Sequence, residues 1–258
     1  CIFNLCDART VTALTEFLSI HDIKSIEFWD GEVPIEPSSL RVLLYIVSAA
    51  TASSLERLKI EANLIGVGSS LADVILECSS LLHLELIGCT LDLEAVHDLT
   101  NGFHVNSRLD RVLLESCCDV TDEMLSVLLL QGLAKCPKLA HLHLSGNDLL
   151  TCKSLDVFTL FLRQCPDSQI QLSIYTNRHL FLDCSTDQAR QFFQAYLKND
   201  KNKDLFLCQT GMDNTAVTCL FQALEENQTV ERLDVRYNSF GDDDSTSTII
   251  INSDDDSL

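Results

Sequence analysis

The chain has 258 residues, 46% of them hydrophobic, and a formal charge of −20 from 38 acidic and 18 basic side chains. This composition supports a sizeable core, while the negative charge opposes binding to nucleic acid and to anionic membranes. No apolar run approaches the roughly 18 residues that span a bilayer, and no cationic leader precedes an apolar segment. We therefore expect a folded protein outside the membrane. Cys1, in place of a methionine, indicates a piece of a longer polypeptide or a processed product.

The chain has twelve cysteines, none in a C-x-x-C pair, and several of them follow its apolar pattern. Cys78 and Cys136 each stand three residues before a leucine that opens a predicted strand, and Cys89 and Cys117 share a second repeated position. Such spacing is typical of reduced, buried cysteines that act as small hydrophobes. It predicts a reducing, cytoplasmic location.

One apolar motif, L-x-x-L-x-L-x-x-N/C-x-L, recurs along almost the whole chain. In chain order its copies are a degenerate IKSIEFWDGEV from Ile23, then LERLKIEANLIG, LLHLELIGCTL, LDRVLLESCCDV, LAHLHLSGNDL, QIQLSIYTNRHL, NKDLFLCQTGM and VERLDVRYNSFG. Their central apolar residues are Ile26, Leu58, Leu84, Val112, Leu142, Leu172, Leu205 and Leu233. Successive central residues are 32, 26, 28, 30, 30, 33 and 28 positions apart, a regularity that predicts a repeat architecture.

Each motif predicts a short strand, and the segments between motifs have helical periodicity. Leu93, Val96 and Leu99 recur at helical spacing, and Thr121 is placed to cap the next helix. Asp213 or Asn214 could cap the last helix in the same way. Strand alternation turns motif positions one, four, six and nine inward and positions three, five and seven toward the opposite face. The Asn or Cys at position nine is expected to serve the turn backbone from inside.

The motif resembles the leucine-rich repeat family, in its long intracellular form of the ribonuclease-inhibitor type, over about residues 10–241. CCDVTDEMLSVLLLQGLAKCPKLAHL, from Cys117, is similar to the cysteine-containing repeats of F-box proteins. NTAVTCLFQALEENQTVERLDVRYNSFGDD, from Asn214, is similar to repeats of nucleotide-binding immune receptors. The resemblance implies an α/β fold, a right-handed horseshoe of about eight strand–helix repeats with a parallel concave sheet.

A composition change marks the end of the repeats. We assign residues 1–241 to the leucine-rich repeat domain and residues 242–258, DDDSTSTIIINSDDDSL, to an acidic tail. The tail has six aspartates and no basic residue, which predicts disorder. A strand that caps the sheet is the alternative.

The register predicts the concave face strand by strand. Its members are Ser25, Glu27, Trp29, Arg57, Lys59, Glu61, His83, Glu85, Ile87, Arg111, Leu113, Glu115, His141, His143, Ser145, Gln171, Ser173, Tyr175, Asp204, Phe206, Cys208, Arg232, Asp234 and Arg236. Mixed charges with a few apolar and aromatic residues suit a protein ligand. The residues predicted to bind a protein partner are Trp29, Glu85, Ile87, Arg111, Leu113, Glu115, His141, His143, Tyr175, Phe206 and Arg236.

No motif predicts catalysis, a cofactor or a metal site. His141-x-His143 would need further ligands, and the register places Arg111 beside it, which disfavours a cation. Cys208 has no histidine on an adjacent strand, and GVGSS at Gly66 lacks the lysine of a phosphate-binding loop, so it indicates a turn before a helix. The N-x-T pattern at Asn227 lies in a predicted helix-to-strand turn of a cytoplasmic chain, so glycosylation is not expected.

The sequence thus favours a non-enzymatic module of an intracellular receptor or scaffold that binds a protein on the concave face, with no nucleic acid and no membrane as partner. The similarity to immune receptors suggests innate immunity. Two alternatives stay open: the substrate-recognition part of an F-box-type ubiquitin-ligase adaptor, and a regulator of an enzyme, similar to ribonuclease inhibitor or to a GTPase activator.

Overall fold

A computed structural model describes residues 8–31, 34–106, 108–165, 170–198, 203–239 and 250–252. The chain divides into two compact units. Unit 1 comprises Cys1–Asp119 with Gln131–Leu139, and unit 2 comprises Val120–Leu130 with Ala140–Leu258.

Eight short strands lie at the eight predicted motifs. They are β1 Ser25–Trp29, β2 Arg57–Glu61, β3 His83–Ile87, β4 Arg111–Glu115, β5 His141–His143, β6 Gln171–Ser173, β7 Asp204–Phe206 and β8 Arg232–Asp234. In unit 1, β1 to β4 pair in parallel in chain order. In unit 2, β5 pairs in parallel with β6, and β7 with β8. Seven of the eight central apolar residues are buried, and Ile26 is half-buried.

Helices alternate with the strands along the chain, and neighbouring helices within each unit pack side by side. They are α1 Ala8–Ile20, α2 Pro37–Thr51, α3 Gly68–Glu77, α4 Leu93–Val105, α5 Asp122–Ser126, α6 Lys153–Gln164, α7 Thr186–Tyr196 and α8 Asn214–Leu224. Within unit 1, each of the helices α1, α2 and α3 contacts the next helix in the chain. Within unit 2, the helices α5, α6 and α7 do the same. This alternation of parallel strands and helices confirms the predicted α/β leucine-rich repeat fold.

The predicted helix starts are confirmed at the level of single hydrogen bonds. The Thr121 hydroxyl accepts from the Met124 amide, and the Asp213 carboxylate accepts from the Ala216 amide. Asp213 is therefore the cap of α8 and Asn214 its first helical residue. The turn predicted at Gly66 has a left-handed backbone, with φ of 70°, just before α3.

The segment after Thr121, which has one continuous helical periodicity, does not form one regular helix. After α5 the backbone widens into a π-helical segment, Val127–Gly132, and then tightens into a 3₁₀ turn, Leu133–Lys135. A Cβ on Gly132 would come within 3.1–3.3 Å of Thr100 and Phe103 on α4. The periodicity records which residues are buried, whereas close packing against α4 sets the local pitch.

A three-residue strand, β9 Ile250–Asn252, pairs antiparallel with β8. It falls inside the segment assigned to the acidic tail. The other tail residues lie outside the described part of the chain, so the boundary after residue 241 stays a prediction.

In most repeats the side chain at motif position nine links the turn to a neighbouring repeat by hydrogen bonds. The Cys89 and Cys117 thiols donate to the carbonyl oxygens of Ile60 and Leu86, each in the preceding repeat, at 3.3 and 3.5 Å. The Asn177 side-chain amide donates to Leu144 O at 2.9 Å, and the Asn177 side-chain oxygen accepts from the backbone N–H of Asn147 at 2.8 Å. The expectation that position nine serves the turn from inside is confirmed for these repeats.

Asn238 repeats the Asn177 arrangement in the last motif. Its amide donates to Leu207 O at 2.8 Å, and its oxygen accepts from the backbone amides of Thr210 and Met212, both at 3.0 Å. Thr210 itself fills position nine of the preceding repeat, where its hydroxyl donates to Leu207 O. A hydroxyl thus replaces the amide or thiol at this one position.

The second bend of the repeat, from helix to strand, has a similar link. Asn106 and Asn227 donate their side-chain amides to the carbonyl oxygens of Ile75 and Leu197, both at 3.0 Å. Cys136, at the same distance before its strand, donates its thiol to Phe103 O at 3.4 Å. The cysteine spacing noted in the sequence therefore reports a shared structural position.

The motif from Leu55 departs from the others at its turn. Ala62 is buried where position nine should be, and Asn63 is exposed. The Asn63 carboxamide oxygen accepts only from the nearby Ile65 amide among the bonds described for it. The inward assignment of position nine is wrong for this repeat, because the chain after β2 is displaced by one residue relative to the motif.

In six repeats the residue before position nine has a left-handed backbone. These residues are Gly88, Ser116, Gly146, Thr176, Gln209 and Tyr237, with φ between 53° and 73°. The conformation turns the next side chain inward. Only two of the six are glycines, so the other four hold a backbone that costs about 1–2 kcal/mol for an L-residue.

The hydrogen bonds at motif position nine predict unequal effects of substituting two asparagines that share this position. Asn177→Ala should lower the free energy of unfolding by about 3 kcal/mol, because it leaves the buried Asn147 amide and two carbonyls without this partner. Asn63→Ala, the matched control, should cost less than about 1 kcal/mol, since its side chain is exposed. Urea unfolding of both variants measures the difference. Equal losses of unfolding free energy would contradict a stabilising role for the Asn177 hydrogen bonds.

The turn predicts a purely conformational cost at Gly88. A Cβ there would meet nothing closer than Glu61 Cγ at 4.0 Å, so Gly88→Ala should lose about 1 kcal/mol through its φ of 61° alone. Gly31→Ala has open space and no positive φ, and should be neutral or slightly stabilising. Thermal unfolding compares them. A Gly88 variant as stable as the control would show that the left-handed backbone is not required.

Candidate protein-binding surface

In each unit, most side chains at positions three, five and seven of the motif line the strand face opposite the buried leucines. We call this surface the open face of unit 1, on β1 to β4, or of unit 2, on β5 to β8. Trp29 is 62% exposed and Phe206 39% exposed, while Ile87, Leu113 and Tyr175 are half-buried. The open faces thus contain the apolar residues that the sequence predicts to bind a protein partner.

The parallel register arranges the open face of unit 1 in three rows across the strands. The first row joins Ser25, Arg57, His83 and Arg111, and the second joins Glu27, Lys59, Glu85 and Leu113. The third row, at the carboxyl ends of the strands, contains Trp29, Glu61, Ile87 and Glu115. The sequence predicted the members of this face, and the register shows that basic and acidic side chains are segregated at its two ends.

Arg57 forms hydrogen bonds with two glutamates on the same face. Its guanidinium donates two hydrogen bonds of 2.8 Å to Glu85 and one of 2.6 Å to Glu27. This pairing lowers the pKa of Glu85 and raises that of Arg57. Glu85 was predicted to contact the partner, but both of its carboxylate oxygens accept hydrogen bonds from Arg57. This two-pronged contact fixes the side chains in the middle of the face.

The histidine pair of unit 2 is divided between two different neighbours. His141 Nδ1 lies 3.1 Å from Gln171 Oε1, and the His143 ring packs edge-on against Tyr175 with centroids 5.2 Å apart. Ser145, predicted to lie on the same face, is fully buried, with its hydroxyl 3.4 Å from that of Ser173. Its exposure was predicted wrongly, because the strand ends at His143 and the chain turns inward.

Two arginines of unit 2 are paired with acids and lie over aromatic rings. Arg232 forms a two-pronged ion pair with Asp204 and stands 6.0 Å from the Phe206 ring centre. Arg236 pairs in the same way with Asp234, which lowers the pKa of that carboxyl. Both pairs hold the arginines in place beside the aromatic surface.

Tyr237 is an aromatic residue on this surface that the sequence analysis missed. It is 57% exposed, and the Arg236 guanidinium lies 6.0 Å from its ring centre. It stands at position eight, which the motif assigns to no face. A large aromatic residue at a left-handed turn position, where it strains the backbone, is the signal that could have drawn attention to it.

The described residues contain no group of three or more His, Cys, Asp or Glu side chains placed to hold a metal ion. Burial raises the pKa of the Cys208 thiol, which works against a reactive thiolate. An open pocket of about 330 Å³ lies between α7 and α8 and is lined mainly by polar side chains, including Arg190 and Gln222. It contains no histidine or carboxylate among its lining residues.

The Asn227 side chain is held by hydrogen bonds within the fold. Its amide nitrogen, the atom that would carry a glycan, donates to Leu197 O at 3.0 Å and to the Thr229 hydroxyl at 3.2 Å. Its oxygen accepts from the backbone amides of Thr229 and Val230. Modification would require breaking the helix-to-strand link. In the part of the chain that has been described, no helix is both long and apolar enough to cross a membrane.

The repeated strands and helices have the architecture of a leucine-rich repeat fold. A model of the family described as leucine-rich repeat matches residues 226–244, which contain the last motif. Proteins built from such repeats generally mediate protein–protein interaction and are typically not enzymes. No curated protein matches the chain significantly.

Two solved structures are similar to the chain at low identity. The tropomodulin C-terminal domain of Caenorhabditis elegans is 11% identical, with a TM-score of 0.46, and the alignment covers 61% of this chain and 93% of that one. The leucine-rich-repeat-containing protein LegL7 of Legionella pneumophila is 17% identical, with a TM-score of 0.40, covering 76% of this chain and 69% of that one. At these values neither similarity bears on what this chain does.

Proposed function

We propose that the chain is a non-enzymatic module that binds a protein partner through its open faces. The observation that carries the proposal is the exposure of aromatic residues on faces whose arginines Arg57 and Arg232 are held in ion pairs. Trp29 and Phe206 gain nothing from contact with water, whereas Arg57 and Arg232 are held by neighbouring carboxylates. Fixed charges around exposed aromatic residues are typical of a pre-organised protein interface.

The parent that we propose is an intracellular, cytoplasmic receptor or scaffold, similar to the immune receptors with nucleotide-binding domains. Buried thiols support a reducing compartment: Cys78, Cys89, Cys117 and Cys136 are all buried. The F-box adaptor and the enzyme regulator stay as alternatives. The open reading frame of the full-length protein discriminates among them, since an encoded nucleotide-binding domain selects the receptor and an F-box selects the adaptor.

Truncation of the two exposed aromatic residues tests the binding surface. Trp29→Ala and Phe206→Ala should each weaken capture of the partner by at least about tenfold, the usual effect of losing an interface anchor. Leu76→Ala on α3 and Leu160→Ala on α6, with exposed fractions of 40% and 49%, are matched controls on the helices. Quantitative pull-down followed by titration of the captured protein measures the four variants. A partner retained equally by all of them would exclude the open faces.

A further inference from the structure

The third row of the open face in unit 1 has a regular chemistry of its own. We call it the acid–apolar row and define it as Trp29, Glu61, Ile87 and Glu115. Trp29 lies beside Glu61, and Ile87 beside Glu115, in the parallel register. Strands β2 and β3 stay in register through Ile60 and Leu86, which brings Glu61 next to Ile87. Apolar and acidic side chains therefore alternate across four neighbouring strands.

The two carboxylates of the row form no ion pair with another described side chain of the face, and this includes Lys59 in the second row. Among the ion pairs of the described residues, none involves Glu61 or Glu115. Arg57 is occupied by Glu27 and Glu85, and Arg111 lies in the first row, at the other end of the strands. Together with the net charge of −20, this favours an occupant with basic side chains.

The spacing of the row matches one face of an α-helix. Parallel strands lie about 4.8 Å apart, so like residues of the row recur at roughly 10 Å. A helix rises about 1.5 Å per residue, which puts residues i, i+3, i+7 and i+10 at about 0, 4.5, 10.5 and 15 Å along one face. An extended strand returns to the same face only every 7 Å or so, and this step does not match the row.

We propose that the acid–apolar row is the docking site for a basic amphipathic α-helix of the partner, laid across the strands. Apolar residues at i and i+7 contact Trp29 and Ile87, and lysine or arginine at i+3 and i+10 contacts Glu61 and Glu115. This inference rests on the proposed function, since it names the chemistry of the partner at one of the two open faces.

Trp29 is the single tryptophan of the chain and is 62% exposed, so its fluorescence reports docking directly. The probe is an alanine-rich synthetic helix, free of tryptophan, with leucine at i and i+7 and lysine at i+3 and i+10. The control peptide has the same composition, with both lysines moved to the opposite helix face. Titration of the whole chain should give a blue shift, and the patterned peptide should bind at least about tenfold more tightly than the control.

Charge-neutral variants of the chain localise the contact. Glu61→Gln and Glu115→Gln should each weaken the patterned peptide about fivefold and reduce the salt dependence of binding. Asp73→Asn, an exposed acid on α3, removes the same charge away from the row and should leave the affinity unchanged.

Equal binding of the two peptides, or affinity indifferent to Glu61 and Glu115, would overturn the proposed helix. The proposed function is tested separately, by the loss of the natural partner from the Trp29→Ala and Phe206→Ala variants. If those variants release the partner while the patterned peptide does not bind, the open face is an interface and the helix proposal is wrong.

Discussion

Hydrogen bonds from inward-turned side chains to the backbone of the neighbouring repeat are the interaction on which the rest of the structure depends. Each repeat bends twice, and both bends bury carbonyl groups that no strand or helix can pair. Asn177 and Asn238 satisfy such groups at the first bend, while Asn106 does so at the second. Since donor and acceptor belong to successive repeats, a repeat is complete only when its neighbour is in place.

This internal fixation leaves the opposite side of each strand free to carry function. The central leucines are held by packing, so their neighbours in the sequence project outward at constant spacing. Unit 2 uses that surface for arginines that are clamped by acids beside Phe206 and Tyr237. Unit 1 clamps Arg57 but leaves Glu61 and Glu115 without an ion pair among the described residues. The two open faces are thus suited to different contacts.

Much of the fold could be predicted because the repeat imposes one pattern many times. The spacing of the central residues located the eight strands β1 to β8, and Thr121 was identified as a helix cap from its place before acidic residues. Most members of the candidate surface followed from alternation, whereas Ser145 is buried and Tyr237, at a turn position, was not predicted. The pairing of Glu85 with Arg57 could not be predicted, because sequence spacing does not say which of several adjacent charges meet.

The sequence by itself determined the repeat, the strand positions and the inward or outward side of most strand residues, since these follow from local periodicity. The tertiary structure alone decided the details at the turns. Asn63 points outward and Ser145 inward against the motif, and the segment after Ser126 widens into a π-helix beside Gly132. The physical reason is that a turn has no period: its backbone angles are set by how closely the neighbouring repeat approaches.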